Sequence, residues 1–142
     1  MTTISNEEQS KLEELDRKEC LALLGERSFV GRIGFMYGGR PIILPVNYLL
    51  HEDESVVIRT AAGTTLSTLD NVDVAFEVDD NRPLTRGGWS ILVQGKVNRI
   101  TDADQLQRLQ RTALTSWAWH TADEWLQISI ETISGRRIPN AS

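Results

Sequence analysis

The sequence predicts a mainly β (α+β) domain, with about six strands forming an antiparallel barrel or sheet and two or three peripheral helices. Three observations carry this. Short β-branched or apolar runs recur along the chain (Val56–Ile58, Val72–Val78, Trp89–Val97, Trp125–Ile133), separated by clusters of Gly, Asp, Asn and Pro. Only two stretches of any length carry helical apolar spacing. The 142 residues hold no repeat, low-complexity segment or linker, which suits one domain spanning residues 1–142.

Met1 to about Lys11 is polar and has little apolar surface to offset the entropy of ordering, so it is expected to be loosely held. Asp16 and Glu19 then make a capping-box pattern, and Leu15, Cys20, Leu21, Leu23 and Leu24 supply an apolar face before Gly25. A short helix follows, with Cys20 read as a small buried hydrophobe.

Phe29–Phe35 has strand-like spacing and leads into Tyr37-Gly38-Gly39-Arg40, a turn whose glycines tolerate positive φ. The second strand of this hairpin, Pro41–Leu50, is apolar on both faces, as a strand covered on both sides would be. Pro45 donates no N–H, so the strand either lies at an edge there or bulges and leaves backbone groups free for a ligand. Asn47 and Tyr48 are the polar groups beside that break; the alternative is a Pro-containing bulge with Tyr48 as ordinary core or rim.

His51–Glu54 is a charged turn. The stretch from Val56 to Asp80 is the one around which the chain is organised: strand, tight turn, short helix, strand. Val56–Ile58 ends at Arg59 and Thr60, Ala61-Ala62-Gly63 turns the chain, and Thr64 is an acceptable N-cap for a turn from Thr65 to Leu69. Free amides, hydroxyls and the Arg59 guanidinium together suit an anion, with phosphate the natural choice. The structural alternative is a capped connection with Arg59 as a solvated strand residue. Asp79 and Asp80 follow the next strand, and neighbouring strand residues point to opposite faces, so a solvated turn is favoured over a metal pair.

Arg86-Gly87-Gly88 opens onto Trp89–Val97, with Trp89 and Ser90 at its entrance and Gly95 as a bend or bulge. Asp102–Leu114 is the clearest helix, capped by Asp102 or Thr101, with Ala103, Leu106, Leu109, Ala113 and Leu114 on one face. The last strand runs from about Trp125 to Ile133, and Ser134-Gly135-Arg136-Arg137 closes the chain. The chain has four Trp, including Trp117, Trp119 and Trp125 near its end; they either line an aromatic pocket or serve core or dimer packing.

Composition excludes several classes. With 15 Lys+Arg against 20 Asp+Glu, the net charge of −5 offers no basic field for nucleic acid or an anionic membrane. A single cysteine and two distant histidines, His51 and His120, build neither a disulfide nor a Cys/His metal site. No apolar run is long enough to span a bilayer and no signal core precedes the domain, so a cytoplasmic location is expected. Nucleophile-elbow, P-loop, dinucleotide and H-E-x-x-H motifs are absent.

At GRIGF, the turn into GRPIILPVNY, IRTAAGTTL, VAFEVDD, GWSILVQGKV and SGRRI, the chain resembles the pyridoxamine 5′-phosphate oxidase-like FMN-binding split-barrel family, from about Leu15 to Ile138. The resemblance implies a six-stranded antiparallel split β-barrel, a homodimer, and FMN in a groove between subunits. It also implies an oxidoreductase acting on a small substrate over the flavin ring. In such proteins the strand matched by Pro45, Val46, Asn47 and Tyr48 edges the ring with its backbone, and Arg59, Thr60, Thr64 and Thr65 match the phosphate-holding turn. Trp89 and Ser90 match the strand entrance that approaches the ring. Relatives usually carry lysine where this chain has Thr65, and Arg136 or Arg137 either compensates or stays at the surface. The same scaffold accommodates two other readings: a reductase using the deazaflavin coenzyme F420, whose longer phosphodiester tail is held differently, and a non-enzymatic flavin- or haem-binding module. No side chain is singled out as catalytic, because the chemistry would be the cofactor's.

Overall fold

A computed structural model describes residues 12–26, 30–82, 87–112 and 123–138. Expectations for Met1–Lys11, Phe29, Pro83, Arg86, Ala113, Leu114, Trp117, Trp119 and His120 lie outside those residues.

The chain runs β1 (Glu13–Leu15), α1 (Arg17–Glu26), β2 (Val30–Tyr37), β3 (Arg40–His51), β4 (Ser55–Ala61), a 3-10 turn (Leu66–Thr68), β5 (Val72–Arg82), β6 (Gly87–Arg99), α2 (Ala103–Gln110), β7 (Asp123–Ser129) and β8 (Thr132–Ile138). Strands β6, β5, β2, β3, β4 and β7 are neighbours in that order, and β7 returns to β6, closing a six-stranded antiparallel barrel. β8 and β1 extend the sheet from the other part of the same β6 edge.

Local chemistry places the elements. The reciprocal capping box starts α1, with Glu19 N–H donating to Asp16 Oδ1 at 2.8 Å and Asp16 N–H to Glu19 Oε1 at 3.3 Å. Cys20 and Leu24 are its fully buried residues. Gly38 and Gly39, at φ 58° and 78°, make the two-residue turn of the β2–β3 hairpin. Asp102 caps α2 by accepting from Gln105 N–H at 2.9 Å. The barrel interior holds Ile33, Tyr48, Ile58, Phe76, Val93 and Leu126 among others. Val57, Ile100, Leu109 and Trp125 form a second cluster beneath α2.

Two strands change partners midway. The first half of β3 pairs with β2 through Asn47, and its pairing with β4 begins only at Tyr48. The β2–β3 register passes through Arg32↔Pro45 without interruption, so Pro45 marks an edge rather than a bulge. Strand β6 pairs with β8 through Gln94 and with β7 from Val97. Gly95 lies at that crossing, where a Cβ would stand 1.7 Å from the Ser129 carbonyl oxygen.

Several boundaries differ from the sequence expectation. The stretch read as one strand from Trp125 to Ile133 is two strands, broken at Ile130 and Glu131, where Glu131 N–H reaches the carbonyls of Gln94 and Ser129. Ser134–Arg137, expected only to close the chain, lies within β8. Asp79 and Asp80 belong to β5, not to a turn, opposite Ser90 and Trp89. The outer face of β3 is open in the single chain, with Ile43 73% exposed. No helix among the described residues is long and apolar enough to cross a membrane.

Candidate functional site

Strand alternation divides the residues of β4. Val56, Ile58 and Thr60 face the barrel interior, whereas Arg59 stands on the other face with Val57. Arg59 pairs across the ladder with Trp125, and its guanidinium carbon lies 5.2 Å from the Trp125 ring centroid. Its Nε donates to Asp123 Oδ2 at 2.6 Å, and Nη2 donates to the same oxygen. Asp123 is two residues before Trp125 on β7, which puts both on one face of that strand.

The chain leaves β4 through Gly63, at φ 81°, into the 3-10 turn. The helix expected over Thr65–Leu69 is this single turn, Leu66–Thr68, too short to build an appreciable dipole. Its N-cap position is Thr65, whose side chain makes no capping bond, rather than the expected Thr64; Thr64 Oγ1 still accepts from Ser67 N–H at 3.3 Å. A hydroxyl has one proton, and that of Thr64 goes to the Ala61 carbonyl at 2.8 Å. Thr60 must then be the donor in its 3.0 Å contact with Thr64. Both hydroxyl protons are thus engaged within the turn. Thr65 contributes its carbonyl to Thr68 Oγ1 at 2.6 Å.

Arg99 reaches the same turn from β6. Its Nη2 donates to the Ser67 carbonyl and lies 3.5 Å from Glu124 Oε2, and its backbone N–H donates to Asp70 Oδ1 at 3.0 Å. The sequence reading named neither Arg99 nor the acids Asp123 and Glu124. Alternation could have put Asp123 on the Trp125 face, but its partner is 64 residues away along the chain.

Pro45 to Asn47 lie along the β3 edge where no β4 pairing is made, one step from the Tyr48↔Ile58 pair that adjoins Arg59. The structure therefore brings the Pro45–Tyr48 backbone and the Arg59–Thr65 turn onto neighbouring strands. The Tyr48 side chain itself is core: fully buried, donating to the Leu24 carbonyl at 2.8 Å and edge-on to Phe76 at 4.9 Å. Burial pushes its hydroxyl well above the usual tyrosine range.

Trp89 and Ser90 lie on β6 between Asp80 and Asp79 of β5 and Arg137 and Arg136 of β8. Trp89 packs against the main core, and Ser90 borders a groove of about 430 Å³ shared with Glu14 and Arg136. Nearby, Arg32 lies 3.2 Å from Glu77 and 3.5 Å from Asp79. Burial raises the Glu77 pKa and the adjacent Asp79 raises it further, while Arg32 opposes both. Among the described residues no group of three or more His, Cys, Asp or Glu is arranged to hold a metal ion.

Two larger grooves, of about 600 and 560 Å³, contain none of the flavin-site residues. The first lies along α1, and the second is lined by Met36, Pro41, Ile43 and Gly95 among others.

Comparison with known proteins places these features among relatives. The family model described as pyridoxamine 5′-phosphate oxidase matches residues 16–137. The uncharacterized protein Rv0080 of Mycobacterium tuberculosis is 36% identical over 131 residues, covering 88% of this chain and 84% of its own. The FAD binding protein of Mycobacterium smegmatis superposes with a TM-score of 0.75 at 31% identity, covering 89% of this chain and all of that one. A Corynebacterium glutamicum structure shares the fold with a TM-score of 0.78 at 24% identity, covering 92% of this chain and 96% of its own.

Proposed function

Because the chain belongs to the pyridoxamine 5′-phosphate oxidase family, we propose that it is a flavoprotein holding FMN at a homodimer interface and acting there as an oxidoreductase on a small substrate. One observation carries this reading: the stretch of β3 at Pro45–Asn47, which precedes the start of the β3–β4 ladder at Tyr48, adjoins the strand that delivers Arg59 to the Thr60–Thr65 turn. The FAD binding of the M. smegmatis relative supports a flavin as the ligand class.

The residues present fit a flavin phosphate. Arg59 supplies a cation beside a turn of small residues, and the Thr60 and Thr64 hydroxyls hold that turn's shape rather than donating outward. Arg99 fastens the turn from below through the Ser67 carbonyl. Val46 and Asn47 offer β3 backbone to the ring edge, and Pro45 removes one competing donor from it. Tyr48 anchors this strand to α1 from inside. Trp89 and Ser90 lie toward the opposite end of β6 from Arg99, on the β8 groove, and are not brought beside this turn within one chain.

A flavin bound there supplies reversible electron transfer, for which the protein provides position, hydrogen bonds and exclusion of water. The apolar outer surface supports self-association: Met36, Tyr37 and Ile43 are 58%, 50% and 73% exposed along one hairpin. Burying that face against a second copy would cover the second groove and give the ligand a second wall. A lone buried thiol, Cys20, fits a cytoplasmic location.

Titration with FMN tests the proposal. Saturable binding near one flavin per chain, followed by faster reoxidation of the reduced flavin with an acceptor than free flavin shows, is the expected result. Binding without any such acceleration would instead favour a non-enzymatic flavin module.

A further inference from the structure

The turn after Gly63 is pinned from the interior end of the barrel. Leu126 is fully buried, and its ladder partners are Ile58 on β4 and Arg99 on β6. Cross-strand partners share a face, so Arg99 stands where the apolar column of β6 gives way to the barrel mouth. Glu124, two residues before Leu126 and opposite Thr60, stands there too. The turn sits over this mouth, with Leu66 and Leu69 in the main core and Ser67 only 5% exposed. Three bonds tie it to the end of β6: Asn71 N–H to the Val97 carbonyl at 2.7 Å, Arg99 N–H to Asp70 Oδ1 at 3.0 Å, and Arg99 Nη2 to the Ser67 carbonyl. The first two hold residues that follow the turn. The third grips the turn itself.

We propose that Arg99 is a positioning residue for the flavin phosphate: from the interior side it fixes where the turn stands relative to Arg59, without touching the ligand itself. Glu124 orients it. This rests on the flavin-site reading given above and adds the residue that shapes its phosphate end.

Arg59 and the turn reach a phosphate from different supports. Arg59 belongs to β4, which the ladder with β7 holds from Ser55 to Ala61. The turn begins beyond Gly63, at φ 81°, and is part of no strand. Its internal bonds, from Ser67 N–H and Oγ to the Thr64 carbonyl at 3.1 and 2.7 Å, fix its shape but not its place. Thr64 ties its start to β4 through Thr60 and the Ala61 carbonyl, which leaves its far side to Arg99. Leu66 and Leu69 hold it against the core, but apolar contact is non-directional and tolerates sliding. The Arg99 bond is directed and charge-assisted. Glu124 Oε2 lies 3.5 Å from the same nitrogen and, buried, makes no hydrogen bond among the described residues, so it offers Arg99 charge rather than a second directed bond. Losing the guanidinium therefore lets the turn shift while the Leu66 and Leu69 packing stays.

The test compares FMN with riboflavin, which share the ring and differ by the phosphate, on wild-type protein and Arg99→Met. The variant is expected to bind FMN about 10-fold more weakly and to change riboflavin affinity by less than about 2-fold. The loss should persist in about 0.5 M NaCl, where attraction between the phosphate and a distant exposed charge is screened. A loss that disappears in salt would overturn the inference, because Arg99 would then act only as a charge. So would an FMN-to-riboflavin affinity ratio equal to that of wild type, whether both affinities hold or both fall together. Should Arg99→Met not fold, amide hydrogen exchange on wild-type protein carries the test. The Ser67, Thr68 and Leu69 amides, whose bonds close the turn, are expected to exchange about 5-fold more slowly with FMN bound than with riboflavin bound. Equal exchange would overturn the inference. Wild-type protein that binds the two ligands equally, or binds neither, would remove the phosphate site itself and this inference with it.

Discussion

Tyr48 Oη donates to the Leu24 carbonyl at 2.8 Å, joining the middle of β3 to the last turns of α1 inside the core. The same ring meets Phe76 edge-on, so one side chain ties α1, β3 and β5 together. It also holds the β3 segment that precedes the β4 ladder beside Arg59.

Tyr48→Phe keeps the ring contact and leaves the Leu24 carbonyl without this donor, which is expected to cost roughly 1 to 3 kcal/mol. Urea unfolding measures it directly.

Burial raises the Tyr48 hydroxyl above its unfolded value, so the folded state favours the protonated form. The resulting stability is fully present below the unfolded pKa of about 10 and is lost as pH rises above it. Wild-type stability should therefore decline in alkaline solution, and Tyr48→Phe should flatten that decline. Parallel denaturation curves over this range check the difference.

Gly95 sets the crossing at which β6 passes from β8 to β7. An added Cβ would lie 1.7 Å from the Ser129 carbonyl oxygen and 2.9 Å from its carbon, so backbone has to move. Gly95→Ala is expected to destabilise by more than about 3 kcal/mol. Gly38→Ala meets nothing within 4 Å and carries only the strain of its φ of +58°, about 1 kcal/mol. A pair of equal losses would remove barrel closure as the reason for Gly95.

Much of the fold was legible because its signals are local. The β2–β3 hairpin is written in Gly38-Gly39, α1 in the Asp16/Glu19 box, and α2 in its Asp102 cap. What was not legible depends on contacts distant in sequence. Ile130-Glu131 contains neither Gly nor Pro, so nothing nearby announced the break between β7 and β8; its partner is Gln94 on another strand. β1 is three residues long and exists only as an edge against Gly135–Arg137. The candidate site divides the same way. Arg59 and the small-residue turn stand out in the sequence, but Asp123, which occupies the arginine, does not. Nor did alternation alone tell that Tyr48 points inward while its backbone borders the open edge.

Arg59→Ala is expected to weaken binding of a phosphate-bearing flavin by roughly 1.5 to 3 kcal/mol and to spare riboflavin. Fluorescence titration of the two ligands in parallel separates loss of a phosphate contact from general damage. Unchanged affinity for the phosphorylated ligand would take Arg59 out of the site.

Ile43→Glu puts a charge on the most exposed apolar position of the β2–β3 hairpin, where little packing within the chain is lost. With a homodimer built on that face, the variant should run as a monomer in light scattering and bind flavin more weakly. A dimer that persists with unchanged flavin affinity would place the interface elsewhere.

The most direct measurement is the visible absorbance of the protein as purified, followed by titration with FMN and FAD. A flavin spectrum, or saturable binding approaching one flavin per chain, is the result expected for a flavoprotein. A colourless protein that binds neither flavin at any concentration reached would contradict the proposed function.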